Sequence, residues 1–341
     1  MFVIRESFPE DIEQIHEVAR HLDTVNLPND RGMLEKILHL SARSFSGETP
    51  VFEREYLFLL EDTERKKVIG TCMIHAQHGT RKSPHVFFEV LKEERYSETL
   101  DRHFVHQCLR IGYNYNGPTE IGGLILLPEY RGRPEALGKM LSYVRFLFIG
   151  LHRDRFRDEV LSELLPPLEA DGTSKLWESL GRHFTGLSYL DADKISKDNK
   201  EFIRTLFPQG LLYTALMPKD VRDVIGVVGP KTLGVEKMLR AIGFEYAERI
   251  DPFDGGPHYQ ARTDDIALVR ETKRAKVVAI DGADEGRPFG LVAAEHAKLP
   301  HFLAVGTRFR LVGSGGEIGL TDATRTAIGV KPGDEVAYLQ L

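Results

Sequence analysis

The chain has 341 residues, 42% of them hydrophobic and 28% charged, with a formal net charge of −6. That length can bury a full core and predicts two domains or one enlarged one, and the composition excludes a disordered or fibrous protein. The acidic balance argues against a nucleic-acid partner, yet it leaves room for a local basic pocket around an anionic ligand.

Cys72 and Cys108 are the sole cysteines, which excludes a disulfide scaffold and predicts a reducing compartment. No His or Cys group shows zinc-ligand spacing, so no metal is expected. The longest apolar runs, 123–127 and 146–151, fall far short of the roughly 20 residues that span a bilayer. Residues 2–5 read as a strand with no signal-peptide pattern before them. A soluble cytoplasmic protein with no membrane partner is the expectation.

After that first strand, Ile12, Ile15, Val18 and Ala19 carry helical spacing over 9–22, and a second helix is predicted over 31–45. Residues 56–60 and 68–76 form a hairpin around a charged turn. A buried strand over 122–127 stops at Pro128. A helix then runs from Gly138 to about residue 157, with Met140, Leu141, Val144, Leu147 and Phe148 as its apolar face. Residues 158–164 supply the next strand. Segments 177–184 and 238–244 each read as a helix ending in Gly, followed by an aromatic that enters a strand. Gly suits that position because it takes left-handed dihedrals without strain. The echo predicts an elaborated or partly duplicated core. From about residue 265 short β-rich segments (276–280, 291–294, 309–312, 335–341) alternate with Gly, Pro and Asp turns, with a short helix within 320–330.

Between the 122–127 strand and the following helix lies Pro128-Glu-Tyr-Arg-Gly-Arg-Pro-Glu-Ala-Leu-Gly138. A pyrophosphate needs backbone N–H donors aimed into one concavity with a helix N-terminus behind them, and glycines allow that close approach. Gly132 and Gly138 suit this role, whereas Pro134 has no N–H to give. Arg131, Arg133 and Lys139 are the nearest cations, with Arg81 and Lys82 as further candidates. The main chain of Leu124, Ile125 and Leu126 suits an extended ligand arm that pairs as an added strand.

The stretch from Leu206 to Pro257 carries Tyr213, Pro218, Ile225-Gly226, Pro230, Thr232, Leu239 and Gly243-Phe244, and it ends in Asp251-Pro-Phe-Asp-Gly-Gly-Pro257. It resembles the arginine N-succinyltransferase family. Thr24-Val-Asn-Leu-Pro28, Leu141-Ser142 with Arg145-Phe146, and Leu176-Trp-Glu-Ser-Leu-Gly-Arg-His-Phe184 are similar to the same family in the same order. The resemblance implies an α+β fold: a GNAT-like acyltransferase core, with a mixed, mostly antiparallel sheet flanked by helices, plus a small β-rich C-terminal subdomain. Three regions are expected: 1–185 for acyl-CoA binding, 186–264 to complete the substrate site, and 265–341 as the C-terminal subdomain. The implied reaction is direct transfer of a succinyl group from succinyl-CoA, a cosubstrate rather than a bound cofactor, to the α-amine of L-arginine in arginine catabolism. Family members form oligomers, which implies pairing with another copy or a related subunit.

On this reading Leu124, Ile125, Leu126, Arg131, Gly132, Arg133, Gly138 and Lys139 hold the acyl-CoA. Arginine calls for acidic groups against its guanidinium. Glu163 matches a Glu of the family, and Asp251 and Asp254 frame its most specific loop, although Asp254 equally suits a turn. The His that the family carries before Pro230 is Gly229 here, and Gly carries no proton. Its Arg-Gly pair after the Glu is Leu165-Pro166, and its Gly before the Thr24 segment is Asp23. Three readings follow: catalysis by positioning, with protons passing through water or another residue; substitution by His258, otherwise an exposed loop side chain, or by Tyr213; or a silent subunit or altered acceptor such as ornithine.

Overall fold

The computed structural model describes residues 1–20, 27–81, 83–196, 199–281, 287–313 and 316–341. Asp23, the start of the Thr24 segment and Lys82 lie outside them. The chain forms two compact units: Met1–Ala76, Thr119–Asp158 and Thr263–Leu341 make the first, and Gln77–Pro118 with Glu159–Arg262 make the second.

Strands β1 (Phe2–Glu6), β2 (Glu55–Asp62) and β3 (Lys67–His75) belong to the first unit. The second takes β4 (His85–Ser97) and β5 (Arg102–Asn114), and the chain returns to the first with β6 (Thr119–Leu126). The second unit then adds β7 (Glu159–Glu163), β8 (Leu212–Tyr213), β9 (Glu245–Ile250) and β10 (Pro257–Arg262). The first unit closes with β11 (Lys273–Ala279), β12 (Phe289–Glu295), β13 (Phe302–Arg308), β14 (Arg310–Val312), β15 (Glu317–Leu320) and β16 (Glu335–Gln340). Its helices include α1 (Ile12–Ala19), α2 (Arg31–Phe45) and α3 (Leu137–Leu151). Among the described residues no helix is long and apolar enough to cross a membrane.

In the first unit the strand order is β14-β15-β11-β16-β12-β13-β1-β2-β3-β6. Its pairings are antiparallel except β11 with β15. Ile4 opposite Ala304 joins β1 to β13, so the strands after residue 263 extend the sheet that carries the N-terminal hairpin. Helix α2 starts at the Asp30 cap, whose carboxylate accepts from the Met33 amide at 2.9 Å. Phe58, Phe148 and Phe302 meet edge to face, with centroids 5.3–5.4 Å apart, and so seat α3 on the sheet.

The pairing of β6 with β3 is bulged at Gly123, whose φ of +56° and contact with Met73 leave no room for a side chain. Arg145, buried in α3, donates to the Ser142 carbonyl at 3.0 Å, to Ser142 Oγ at 2.9 Å and to the Gly122 carbonyl at 3.4 Å. The Leu141-Ser142/Arg145-Phe146 motif thus ties the helix to the bulged strand. Removal from water holds the Arg145 guanidinium below its ordinary pKa.

In the second unit the order is β7-β10-β9-β4-β5-β8, with every described ladder antiparallel. Trp177 stacks on Phe253 at 5.0 Å and 8° and donates Nε1–H to the Leu187 carbonyl at 3.0 Å. One half of the predicted echo is corrected here. Residues 177–184 do not lead into a strand: a π turn over Trp177–Gly181 runs on into a helix that ends at Gly186, φ +71°. Gly181 serves packing instead, since a Cβ there would lie 2.4 Å from the Trp177 ring. The other half holds, with helix Leu233–Arg240, Gly243 at φ +108°, and β9.

Candidate active site

In the first unit, β6 runs into a single 3-10 turn at Pro128–Tyr130 and then into α3. Gly132 has φ +70°, and a side chain there would meet nothing within 4 Å, so the space in front of the loop is open. Ala136, left-handed at φ +52°, caps α3 and leaves the Leu137 and Gly138 amides at the helix start. Arg131 Nε donates to the Leu126 carbonyl at 2.8 Å, and the Arg133 guanidinium lies 4.5 Å from the Tyr130 ring centroid. Lys139 Nζ sits 5.4 Å from the Tyr143 ring. Leu124 and Leu126 are half-buried and Ile125 is buried. All eight residues predicted for the acyl-CoA therefore share one strand-loop-helix element. Arg81 is exposed in the second unit.

The acidic candidates gather in the second unit. Glu163, at the end of β7, stands opposite His258 of β10. Its Oε1 lies 3.1 Å from His85 Nε2 and 3.4 Å from His258 Nε2. The His85 and His258 rings stack at 5.3 Å and 25°, and the His78 ring meets His85 edge-on at 4.6 Å. His258 is wholly buried, which corrects its reading as an exposed loop side chain: the Pro257–Arg262 strand pulls it inside. Burial first, then the neighbouring His78, pushes the His85 imidazole down to about 3 against the opposing pull of Glu163. At neutral pH that ring is uncharged.

Asp251 and Asp254 build the turn before β10. Asp251 Oδ1 accepts from the Phe253 and Asp254 amides at 2.7 and 3.1 Å, and Asp254 Oδ1 accepts from the Gly256 amide at 2.7 Å. Gly255 takes φ +81°, a left-handed step that suits Gly. Both carboxyls are pushed up, foremost by burial. The next cause is the negative charge of Glu163 for Asp251, and that of Asp251 for Asp254. Glu163 also raises Asp254, so the three acids share one electrostatic neighbourhood. Lys200 offsets part of this at Asp251, and a further cation that enters the group relieves the cost of burial.

Gly229 is fixed by its surroundings. Its amide donates to the Leu165 carbonyl at 2.8 Å, and Thr232 Oγ1 donates to the same oxygen at 2.9 Å. A Cβ at 229 would fall 2.5 Å from the Pro166 oxygen and 2.7 Å from its carbonyl carbon. Tyr213 bonds to Glu93 and Arg95, a set separate from the Glu163 cluster. Sequence reasoning missed His78 and His85. His78 precedes and His85 opens a strand it did not place, and no spacing rule joins positions 78, 85, 163 and 258.

Strand β1, helices α1 and α2, the β2–β3 hairpin, bulged β6, a glycine loop and α3 follow one another in the order expected above, and the chain is an acyltransferase. A family model described as the arginine N-succinyltransferase beta subunit matches residues 2–268, and the chain belongs to the arginine N-succinyltransferase family. The arginine N-succinyltransferase of Yersinia enterocolitica is 32% identical over 335 residues, which span 97% of this chain and 95% of that protein. An Escherichia coli arginine N-succinyltransferase is 30% identical over 349 residues, spanning 100% and 98%. The structure of arginine/ornithine succinyltransferase subunit AI from Pseudomonas aeruginosa superposes with a TM-score of 0.85 at 26% identity, covering 100% of this chain and 98% of that one.

Proposed function

We propose that this chain transfers the succinyl group of succinyl-CoA to the α-amine of L-arginine. The pairing of Asp251 with the buried Asp254, beside the half-buried Glu163, carries this reading, because clustered acids whose carboxyls are held above their ordinary values suit a guanidinium better than a neutral or anionic acceptor. The deprotonated α-amine attacks the thioester carbonyl carbon, the C–S bond breaks, and CoA leaves as a thiolate that takes a proton from water. Gly229 has no part in proton transfer; the proton of the attacking amine passes to solvent. The barrier falls chiefly through positioning, worth about 7–11 kcal/mol in favourable cases. The Gly132 loop and the start of α3 receive the pyrophosphate, and the main chain of Leu124–Leu126 pairs with the pantetheine arm. The free, buried thiols of Cys72 and Cys108 suit the reducing cytoplasm. The Pseudomonas relative is described as a subunit, which supports an assembly of like or related chains.

The test is thiol release by the purified chain with succinyl-CoA and L-arginine, beside ornithine, acetyl-CoA and no-amine controls. Release that requires arginine and succinyl-CoA together, with N-succinylarginine found by mass spectrometry, is the expected result. Faster release with ornithine, or none with any amine, overturns the reading. Arg131→Ala is expected to raise the KM for succinyl-CoA about tenfold and leave that for arginine in place, as loss of one charge-assisted contact does. An unchanged KM for succinyl-CoA removes Arg131 from the site.

A further inference from the structure

We propose that His78, His85 and Glu163 form a site for one divalent transition-metal ion of the zinc class, with His258 packed beside it. One donor atom from each of the first three lies within 4.8 Å of the other two. Zinc bonds of about 2.0–2.1 Å to nitrogen and oxygen set a donor–donor separation of roughly 3.3 Å in a tetrahedron. The 3.1 Å from His85 Nε2 to Glu163 Oε1 already matches that edge. A ring nitrogen of His78 lies within 4.8 Å of both other donors. Imidazoles with one carboxylate favour zinc, cobalt or nickel, whereas magnesium and calcium require a shell of oxygens.

The backbone holds these donors in place. Glu163 and His258 face each other across the β7–β10 ladder, and His85 opens β4. His78 lies in a loop pressed against that strand by glycines. A Cβ on Gly79 would fall 2.5 Å from the Asn114 oxygen and 2.7 Å from the His85 nitrogen, and one on Gly117 would fall 2.0 Å from the His78 oxygen. The His78 amide also donates to the Pro118 carbonyl at 2.7 Å. His85 Nδ1 is buried without a hydrogen-bond partner among the described residues. A half-buried carboxylate beside imidazoles on separate segments is an arrangement a cation holds together. The rival is an imidazole–carboxylate stack that needs no ion.

The test uses the tag-free, full-length chain, stripped with a chelator and titrated with zinc, cobalt(II) and magnesium by calorimetry. One equivalent of zinc, a cobalt ligand-field absorption of tetrahedral intensity and no magnesium binding are expected. Zinc should raise the Tm, because it binds the folded form. His78→Ala removes a half-buried loop side chain and is expected to keep the apo Tm while weakening zinc binding about tenfold or more; His78→Ala with His85→Asn abolishes it. No stoichiometric zinc in the parent chain, or equal affinity in His78→Ala, overturns the proposal. Metal content and Tm are read without turnover, so failure of the succinyl-transfer reading leaves this result standing; bound zinc would take Glu163 and leave Asp251 and Asp254 as the acids for arginine.

Discussion

Gly229→His is expected to lower stability by about 1–3 kcal/mol, and more if the backbone cannot move, with thiol release at or below that of the parent chain. Restoring the family's imidazole looks at first like a repair. The obstacle is the backbone of Leu165-Pro166: any Cβ at 229 would lie 2.5 Å from the Pro166 oxygen and 2.8 Å from that of Leu165. Neither atom is the end of a flexible side chain. The Gly229 amide and the Thr232 hydroxyl both donate to the Leu165 oxygen, so pushing the segments apart also breaks hydrogen bonds. Pro166 stiffens the wall further, because its ring fixes φ. The two departures from the family pattern, Gly229 and Leu165-Pro166, are thus one packing event. A variant that carries Leu165→Arg and Pro166→Gly together with Gly229→His should recover much of the Tm lost by the single change, and a double-mutant cycle measures that coupling. A single Gly229→His variant with the parent's Tm and faster turnover would show that the contact relaxes freely and that the position remains open to a proton carrier.

What the sequence made legible divides along similar physical lines. Strands β1, β2, β3, β6 and β7 and helices α2 and α3 could be read because each is buried on a regular period or across its whole length. The β4–β5 hairpin escaped notice. Its outer half carries Glu93, Glu94 and Arg95 beside exposed Tyr96, Phe104 and Val105, a mixture that looks like a solvated loop. Its inner half holds Val86, Phe88, Leu109 and Ile111 in the second unit's core, so the error cost the strands at the centre of that core. Gly181 misled for a different reason. A glycine near the end of an apolar helix reads as a stop, and nothing in the local sequence tells that the Trp177 ring lies over it. Residues of the site behaved likewise. Glu163, Asp251 and Asp254 came from local motifs, whereas His78, His85 and the burial of His258 depend on pairings far apart in sequence.

Asp254→Asn is expected to raise the KM for arginine by about ten- to a hundredfold, the loss of one charge-assisted contact to a guanidinium. It should at the same time stabilise the fold at alkaline pH. The turn survives, because the Asn side-chain oxygen can still accept from the Gly256 amide as Asp254 Oδ1 does at 2.7 Å. Burial and the charge of Asp251 hold the Asp254 carboxyl well above its ordinary value of 3.8, so between 3.8 and that raised value the folded chain binds a proton that the unfolded chain does not. Stability therefore falls as pH rises through the window and levels off above it, at about 1.4 kcal/mol per unit of displacement. Asn carries no such loss, and removing this charge also eases the ionisation of Asp251. Denaturant titrations at several pH values should show the variant gaining on the parent chain with rising pH, the two converging in acid. A variant that is less stable at every pH and has an unchanged KM for arginine would make Asp254 a turn former and nothing more. Opposite signs for affinity and alkaline stability are what a strained, substrate-neutralised acid predicts, because the guanidinium repays in the complex what burial costs in the free protein.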